Sequence, residues 1–144
     1  MKSLTIKIAC LAACVLIGRP MPSGAAQKDP IVEARGPTIV AFFELVTQED
    51  LDKNPDTYEA LADFQVYAKQ LRDRLTGTGI EFHELYVHSF RLRVGKRLLA
   101  VNVSKAGVGY CFVTPGKKPR MEYGVMTDSD ALIVAKEYFG SSAK

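Results

Sequence analysis

The chain has 144 residues and a formal net charge of +3, from 19 basic and 16 acidic residues. Its length fits one ordinary domain. Three of the bases lie in the first 26 residues, which contain no acid, so the remaining chain carries 16 bases and 16 acids. This balance excludes recognition of nucleic acid through a net positive charge.

The first 26 residues have the features of a secretory signal peptide. Lys2 and Lys7 precede an apolar segment at residues 8–17, and small residues lead up to Ala26. Because a transmembrane helix needs about 20 apolar residues, this shorter segment indicates a leader that is removed, with cleavage after Ala26 or, as the next choice, after Ala25. We therefore expect a secreted or periplasmic protein without a transmembrane segment in the mature chain. In the alternative, Cys14 ends a lipoprotein box, Leu-Ala-Ala-Cys, and anchors the chain through a lipid.

Removal of residues 1–26 leaves three further parts. Residues 27–36 are predicted to be a linker or poorly ordered lead-in, residues 37–140 a single globular domain, and residues 141–144 a tail. Only Cys111 then remains of the three cysteines, so an intramolecular disulfide is impossible. The domain must be held together by the packing of its core.

The segment Gly36–Val46 is the longest apolar run after the leader. Its β-branched and aromatic residues do not alternate with polar ones, which predicts a strand buried on both faces. An acidic loop is expected at residues 47–53. Asn54 as the N-cap and Pro55 in the first turn then start a long helix, which apolar residues at spacings of three and four extend to residue 76.

From Ile80 the apolar period changes to two, which predicts strands. Gly95 and Lys96 form a two-residue hairpin turn, so that residues 90–94 pair with residues 97–101. The remaining predicted elements are two strands, at residues 110–114 and 120–126, and a C-terminal helix at residues 128–139, which is capped by Thr127–Asp130.

The last elements resemble the thioredoxin-like fold. The resemblance rests on residues 110–118, on Tyr123-Gly124-Val125 and on the helix at residues 128–139, which look like the family's final hairpin and C-terminal helix. The buried first strand and the long helix after it fit the same family. The resemblance implies an α/β protein, with one mixed sheet of five or six strands flanked by a long N-terminal helix and a C-terminal helix.

The sequence departs from that family at the positions that carry its chemistry. The family's redox enzymes have Cys-x-x-Cys where the first strand meets the first helix, and this chain has Thr47-Gln48-Glu49-Asp50 there. The family's cis-proline, before the strand that starts near Tyr110, is replaced by Gly107-Val108-Gly109. The hairpin at Gly95 stands in place of the family's middle helix. These departures imply a scaffold without dithiol chemistry.

Two segments begin like metal sites but do not fit them. His83 and His88 are five residues apart, so a strand places their rings on opposite faces, whereas the zinc-protease motif needs a spacing of four on a helix. The acids from Asp50 begin like a calcium loop, but Pro55 and Leu61 stand where that loop needs Gly and Glu. We therefore expect neither a metal nor another cofactor.

Charge is unevenly distributed along the chain. Residues 44–63 contain seven acids and one lysine, whereas residues 91–120 contain eight bases and no acid. Bases on hairpins can protect strand edges from aggregation, but their clustering also indicates a face that binds an anionic or protein partner. The candidate residues of this basic face are Arg91, Arg93, Lys96, Arg97, Lys117, Lys118 and Arg120.

These patterns together predict a non-catalytic binding or interaction module. One alternative is an enzyme with a cleft site that uses Cys111 or His83, although Cys111 lies in an apolar strand, where an inert buried thiol is usual. Another alternative is a structural or accessory subunit of an envelope complex.

Overall fold

The computed structural model describes residues 29–103 and 107–140. The expected signal peptide, with the alternative lipid site at Cys14, and the tail at residues 141–144 lie outside these residues. The described residues form seven strands and three helices. In chain order these are β1 (Ile31–Ala34), β2 (Thr38–Phe43), α1 (Gln48–Lys53), α2 (Pro55–Leu75), β3 (Glu81–Tyr86), β4 (Ser89–Val94), β5 (Arg97–Asn102), β6 (Val108–Val113), β7 (Arg120–Tyr123) and α3 (Asp128–Phe139).

The strands form two mixed sheets that pack face to face. The larger sheet has the order β3-β2-β6-β7, in which only β2 and β3 are parallel, and the smaller has the order β1-β4-β5, in which only β1 and β4 are parallel. Helices α2 and α3 cover one face of the larger sheet, and the smaller sheet covers the other. The mixed α/β class is therefore confirmed, but the single sheet of five or six strands is wrong.

Strand β2 lies at the centre of these three layers, and all six of its residues are buried. Ile39, Ala41 and Phe43 belong to the core beneath the helices. Val40 and Phe42 belong to the core between the sheets. Because the strand serves two apolar cores, its residues have no polar face, and the prediction of a strand buried on both sides is confirmed. The strand ends at Phe43, earlier than expected.

Strand β1 lies within residues 27–36, so the prediction of a linker or disordered lead-in is wrong for Ile31–Ala34. Its Val32 and Ala34 side chains are buried in the core between the sheets, while the intervening Glu33 points outward. The strand pairs with β4, which lies 60 residues further along the chain. Pairing with this distant partner stabilises so short a segment as a strand.

Helix α1 lies within residues 47–53, which were predicted to be a loop, and its start explains the difference. The Asp50 N–H donates to Thr47 Oγ1 at 3.1 Å, and the Thr47 N–H donates to Asp50 Oδ2 at 3.1 Å. This reciprocal capping box satisfies two backbone donors, and hydrogen bonds from Thr47 lower the pKa of Asp50. Lys53 and Glu49 pair at 2.6 Å one turn apart.

The two longer helices occur where the sequence predicts them. Helix α2 starts with Asn54 at its N-cap and Pro55 in its first turn, as predicted, although the Asn54 side chain makes no cap hydrogen bond. Thr127 does cap α3, because its Oγ1 accepts a hydrogen bond from the Asp130 N–H at 3.2 Å. The helices thus present their apolar faces to the larger sheet, and the opposite side of that sheet is left to β1, β4 and β5.

Candidate functional site

Strands β4 and β5 form a hairpin, Ser89–Asn102, which we call the basic hairpin. Its two-residue turn requires a positive φ at the first position. Gly95 adopts a φ of 57° there, a conformation that residues with a side chain disfavour. Val94 faces Arg97 across the turn, and the pairs that follow have the register expected from the sequence. The predicted hairpin is therefore confirmed.

Alternation along the strands separates the side chains of the basic hairpin. Phe90 and Leu92 are completely buried against the larger sheet. Arg91 and Arg93 lie on the opposite, outer face of the smaller sheet. The two cross-strand rows of this outer face are Ile31, Arg91 and Ala100, and Glu33, Arg93 and Leu98. Basic and exposed apolar side chains therefore share one surface.

The two outward arginines have different surroundings. Arg93 Nη1 donates to Glu33 Oε1 at 3.0 Å, and Arg35 donates to the other carboxylate oxygen at 3.0 Å. The hydrogen bonds from Arg35 and Arg93 lower the pKa of Glu33. Arg91 is half-buried, and its Nε atom is buried without a hydrogen-bond partner among the described residues. Arg91 is thus the more buried of the two arginines, whereas Arg93 is held by an ion pair.

Lys96 and Arg97, at the turn of the basic hairpin, are both exposed. Neither makes an ion pair with any residue in the described part of the chain, whereas Arg93 is held by Glu33. Their charges are therefore uncompensated locally and are directed to solvent. These two residues supply the least screened positive charge on the hairpin.

The other three candidate residues belong to the larger sheet. Lys117 and Lys118 lie in the turn between β6 and β7, and Arg120 is the first residue of β7. The Arg120 guanidinium pairs with Glu122 at 2.6 Å and with Glu137 at 3.0 Å, and both contacts raise the pKa of Arg120. Lys117 Nζ donates to the Tyr138 carbonyl at 2.5 Å and lies 5.1 Å from the centre of its ring. These contacts attach the turn before β7 to α3.

The chain topology brings both groups of bases to one end of the molecule. Residues 35–37 join β1 to β2 and span at most about 14 Å. Because β4 is parallel to β1, the turn at Gly95 lies toward the start of β2. Because β6 is antiparallel to β2, the turn that follows β6 lies there as well. The seven candidate residues therefore share an end of the two sheets but not a single face.

The acidic part of the chain follows the other end of β2. Residues 44–63 begin immediately after Phe43 and include α1 and the first turns of α2. Since β2 runs away from the two basic turns, these acids lie toward the opposite end of the larger sheet. The sequence asymmetry in charge thus becomes a spatial one.

Cys111 and His83 lie on the same face of the larger sheet but are kept apart. Both are aligned with Val40, which lies between them, so two strand spacings, about 10 Å, separate them. A thiol and its activating base need hydrogen-bond distance. His83 Nε2 lies 2.9 Å from Glu81 Oε1 but makes no well-aligned hydrogen bond among the described residues.

Cys111 itself is completely buried, and burial raises the pKa of its thiol to about 12. We expect iodoacetamide at mildly alkaline pH to leave Cys111 unmodified in the folded chain and to modify it fully in denaturant, because only the thiolate reacts. Mass spectrometry of the tryptic peptide that carries Cys111 measures both. Rapid modification in the folded chain would contradict this expectation and restore the thiol as a candidate nucleophile.

The Tyr110 hydroxyl is a buried polar group that the sequence did not indicate. It lies in the core beneath the helices and has no hydrogen-bond partner among the described residues. Burial, with the nearby carboxylates of Asp128 and Glu84, raises the pKa of Tyr110. Arg74 pairs with Asp128 at 2.5 Å, and Arg72 pairs with Glu84 at 3.3 Å. The carboxylates are thus engaged in joining α2 to α3 and to β3.

Within residues 29–103 and 107–140, no three His, Cys, Asp or Glu side chains come together so that they could hold a metal ion. No helix in the same ranges is long and apolar enough to cross a membrane. Comparisons with protein-family models, with curated proteins and with solved structures find no match to this chain. The candidate site therefore rests on the geometry and charge of the chain itself.

Proposed function

We propose that this protein is a non-catalytic binding module, which docks an anionic protein partner on the basic hairpin. The observation that carries the proposal is the composition of Ser89–Asn102, which has four bases and no acid. Two of those bases, Lys96 and Arg97, are exposed without an ion pair in the described residues. With the leader at residues 1–26 removed, the module acts outside the cytoplasm, in a secreted or periplasmic location.

We infer that its scaffold is thioredoxin-like. Three features support this: the buried strand β2, the long α2 after it, and the closing β6-turn-β7 with α3, all of which belong to one sheet and its helical layer. The basic hairpin stands in place of the middle helix and, with β1, covers the opposite face. At Thr47–Asp50, where the family's enzymes carry two cysteines, this chain has a helix cap. The scaffold thus serves binding rather than redox chemistry.

Electrostatic attraction suits such a docking surface. Exposed bases at one end of the molecule steer an acidic partner toward the hairpin and raise its association rate, and added salt screens this effect. The acids at residues 44–63 lie toward the other end of the molecule. They repel an acidic partner that approaches that end, which disfavours docking in the wrong orientation. Exposed apolar side chains next to the bases add apolar area that a partner would bury on binding, which charged groups alone would not provide.

Reversal of Lys96 and Arg97 to glutamate tests this function. We expect the double variant to bind a fluorescein-labelled oligoglutamate at least about tenfold more weakly than the wild type, since like charges then meet the probe. Fluorescence anisotropy at low and high ionic strength measures the affinity, and the wild-type affinity should fall with salt. Both substituted positions are exposed, so the fold should be retained, which circular dichroism checks.

A control variant with the same change in charge is Lys69→Glu with Lys136→Glu. Both of these lysines are exposed and lie on α2 and α3, which the larger sheet separates from the basic hairpin. Their reversal should leave the affinity within about twofold of the wild type, since exposed charges farther than a Debye length away are screened. An equal loss in the control variant, or wild-type binding that does not depend on salt, would contradict docking at the basic hairpin.

A further inference from the structure

The outer edge of β5 distinguishes the basic hairpin from an ordinary charged surface. In the described ranges, β5 pairs only with β4, and no strand lies on its other side. Four consecutive residues of this strand, Leu98–Val101, are apolar. An edge of this kind offers a row of backbone groups to an added strand unless charge, proline or a bulge blocks it.

The hydrogen bonds of the hairpin identify the backbone groups on that edge. The Val103 N–H donates to the His88 carbonyl at 2.9 Å, and this pair continues the β4–β5 register by one step. In an antiparallel ladder, hydrogen-bonded pairs alternate with pairs that are not bonded. Leu99 and Val101 therefore direct their N–H and C=O groups to β4, and Leu98 and Ala100 direct theirs to the outer edge.

The side chains at this edge are apolar on both faces of the sheet. Leu98 is 46% exposed on the outer face, and Leu99 is 37% exposed on the face that points toward the larger sheet. Leu99 is exposed because its strand is the last of the smaller sheet. A strand added beside β5 would cover both leucines and pair the backbone at the same time.

The other sheet edges of the described residues are less suited to this pairing. Strands β1 and β7 have only four residues each, and Pro119 directly precedes β7. Strand β3 has six residues but carries Glu81 and Glu84. The outer edge of β5 therefore combines the greatest length with the most continuous apolar sequence.

The charges of the hairpin select the occupant. A second copy paired edge to edge would add four more bases and no acid to the same surface, which repulsion between like charges disfavours. An acidic strand is attracted instead. Its side chains on the outer face would lie beside Leu98 and Ala100, and the short Ala100 side chain leaves room for Arg91, one strand further in, to reach a carboxylate.

We propose that the basic hairpin binds an extended peptide in which acidic and apolar residues alternate, by adding it as an antiparallel strand to the outer edge of β5. The acids lie on the outer face with Arg91 and Arg93, and the apolar residues cover Leu99 and Val101 on the other face. This inference rests on the proposed docking function, which it deepens by naming the partner's conformation and pattern.

A substitution on β5 tests the backbone pairing. Ala100→Pro removes an N–H that faces the outer edge and none that bonds to β4, so the hairpin should remain folded. We expect it to weaken binding of a labelled, alternating Val-Glu peptide by about tenfold or more, because one hydrogen bond is lost and the ring obstructs the added strand. Ala100→Ser keeps the N–H and should bind like the wild type, and circular dichroism confirms that both variants fold.

Modified peptides test the same geometry without altering the protein. In antiparallel pairing, side chains that lie beside Leu98 and Ala100 belong to peptide residues whose N–H groups point at β5. N-methylation of the glutamates should therefore abolish binding, whereas N-methylation of the valines, whose N–H groups point away, should change the affinity by less than about threefold. Equal effects of the two modifications would overturn the proposal.

The outcomes separate this inference from the proposed function. If Ala100→Pro binds the Val-Glu peptide normally while the Lys96 and Arg97 reversal still abolishes oligoglutamate binding, strand addition is overturned and charged docking stands. If neither probe binds, both fail. Strong binding to anionic lipid vesicles but not to the peptide, or dimers in light scattering that Ala100→Pro dissociates, would likewise overturn an acidic peptide as the occupant.

Discussion

Gly109→Ala is expected to destabilise the folded protein by about 3 kcal/mol or more. A Cβ atom on this residue would collide with the carbonyl oxygen of Glu122 on β7 and would come within 2.6 Å of the Phe42 ring. Neither neighbour can move easily, since the carbonyl belongs to a strand and the ring is completely buried in the core between the sheets. The glycine is therefore required by the close approach of two strands and an aromatic ring.

Urea denaturation, followed by circular dichroism, measures this loss of stability, and Gly36→Ala is a matched control. No atom lies within 4 Å of the Cβ position at Gly36, and its backbone does not need a positive φ. The control should differ from the wild type by less than about 1 kcal/mol. Similar stabilities of the Gly109 variant and the wild type would show that the core between the sheets relaxes far more than close packing allows.

Phe64→Ala is expected to cost about 4 kcal/mol of stability, because it opens a cavity under α2. The Phe64 ring is completely buried and joins three elements: its centre lies 4.9 Å from the ring of Phe43 on β2 and 4.8 Å from that of Tyr110 on β6. The loss therefore combines buried apolar area with two aromatic contacts. The Tyr110 ring, whose hydroxyl already has no hydrogen-bond partner among the described residues, would line the new cavity.

The control for this substitution lies two residues away on the same helix. Val66 is 53% exposed, and alanine has the higher helix propensity, so Val66→Ala should be neutral or slightly stabilising. Thermal unfolding of both variants makes the comparison. A Phe64 variant that unfolds at the wild-type temperature would mean that α2 does not pack on the larger sheet as described.

Local patterns in the sequence predicted the elements whose stability is mainly local. The period of two from Ile80, the turn at Gly95 and the cap at Thr127 depend on neighbours within a few residues, so the hairpin, its register and α3 follow from them. The apolar run that contains β2 correctly predicted burial on both faces. The sequence did not predict which elements cover the two faces of β2. A strand has the same apolar pattern whether helices or a second sheet bury it.

The division into two sheets depends on distant pairing, which leaves little local trace. Glu33 on β1 and Arg93 on β4 are 60 positions apart and form an ion pair at 3.0 Å. Neither residue suggests its partner from sequence alone, so the sequence predicts a linker or a poorly ordered lead-in where β1 lies. Helix α1 was missed for another reason: the acidic residues suggested a loop, and the capping box at Thr47 and Asp50 outweighed them.

The sequence predicted which basic residues belong to the candidate site, but not how they are arranged on the surface. The excess of bases after Arg91 is visible in the sequence, yet only the topology shows that Arg120 is neutralised by Glu122 and Glu137 while Arg97 is not. The edge at Leu98 was also missed. The alternation of strand residues predicts two faces, but which strand is last in a sheet is decided by pairings elsewhere in the chain.

The parallel pairing of β1 with β4 also has a consequence for the order of folding. The hairpin of β4 and β5 closes a turn of two residues, whereas β1 must close a loop of some 60 residues before it can pair. Contacts of such separation slow the search for the native state. We therefore expect β4 and β5 to associate early and β1 to join them late, so that the strand of the smaller sheet that is translated first is the last to join it.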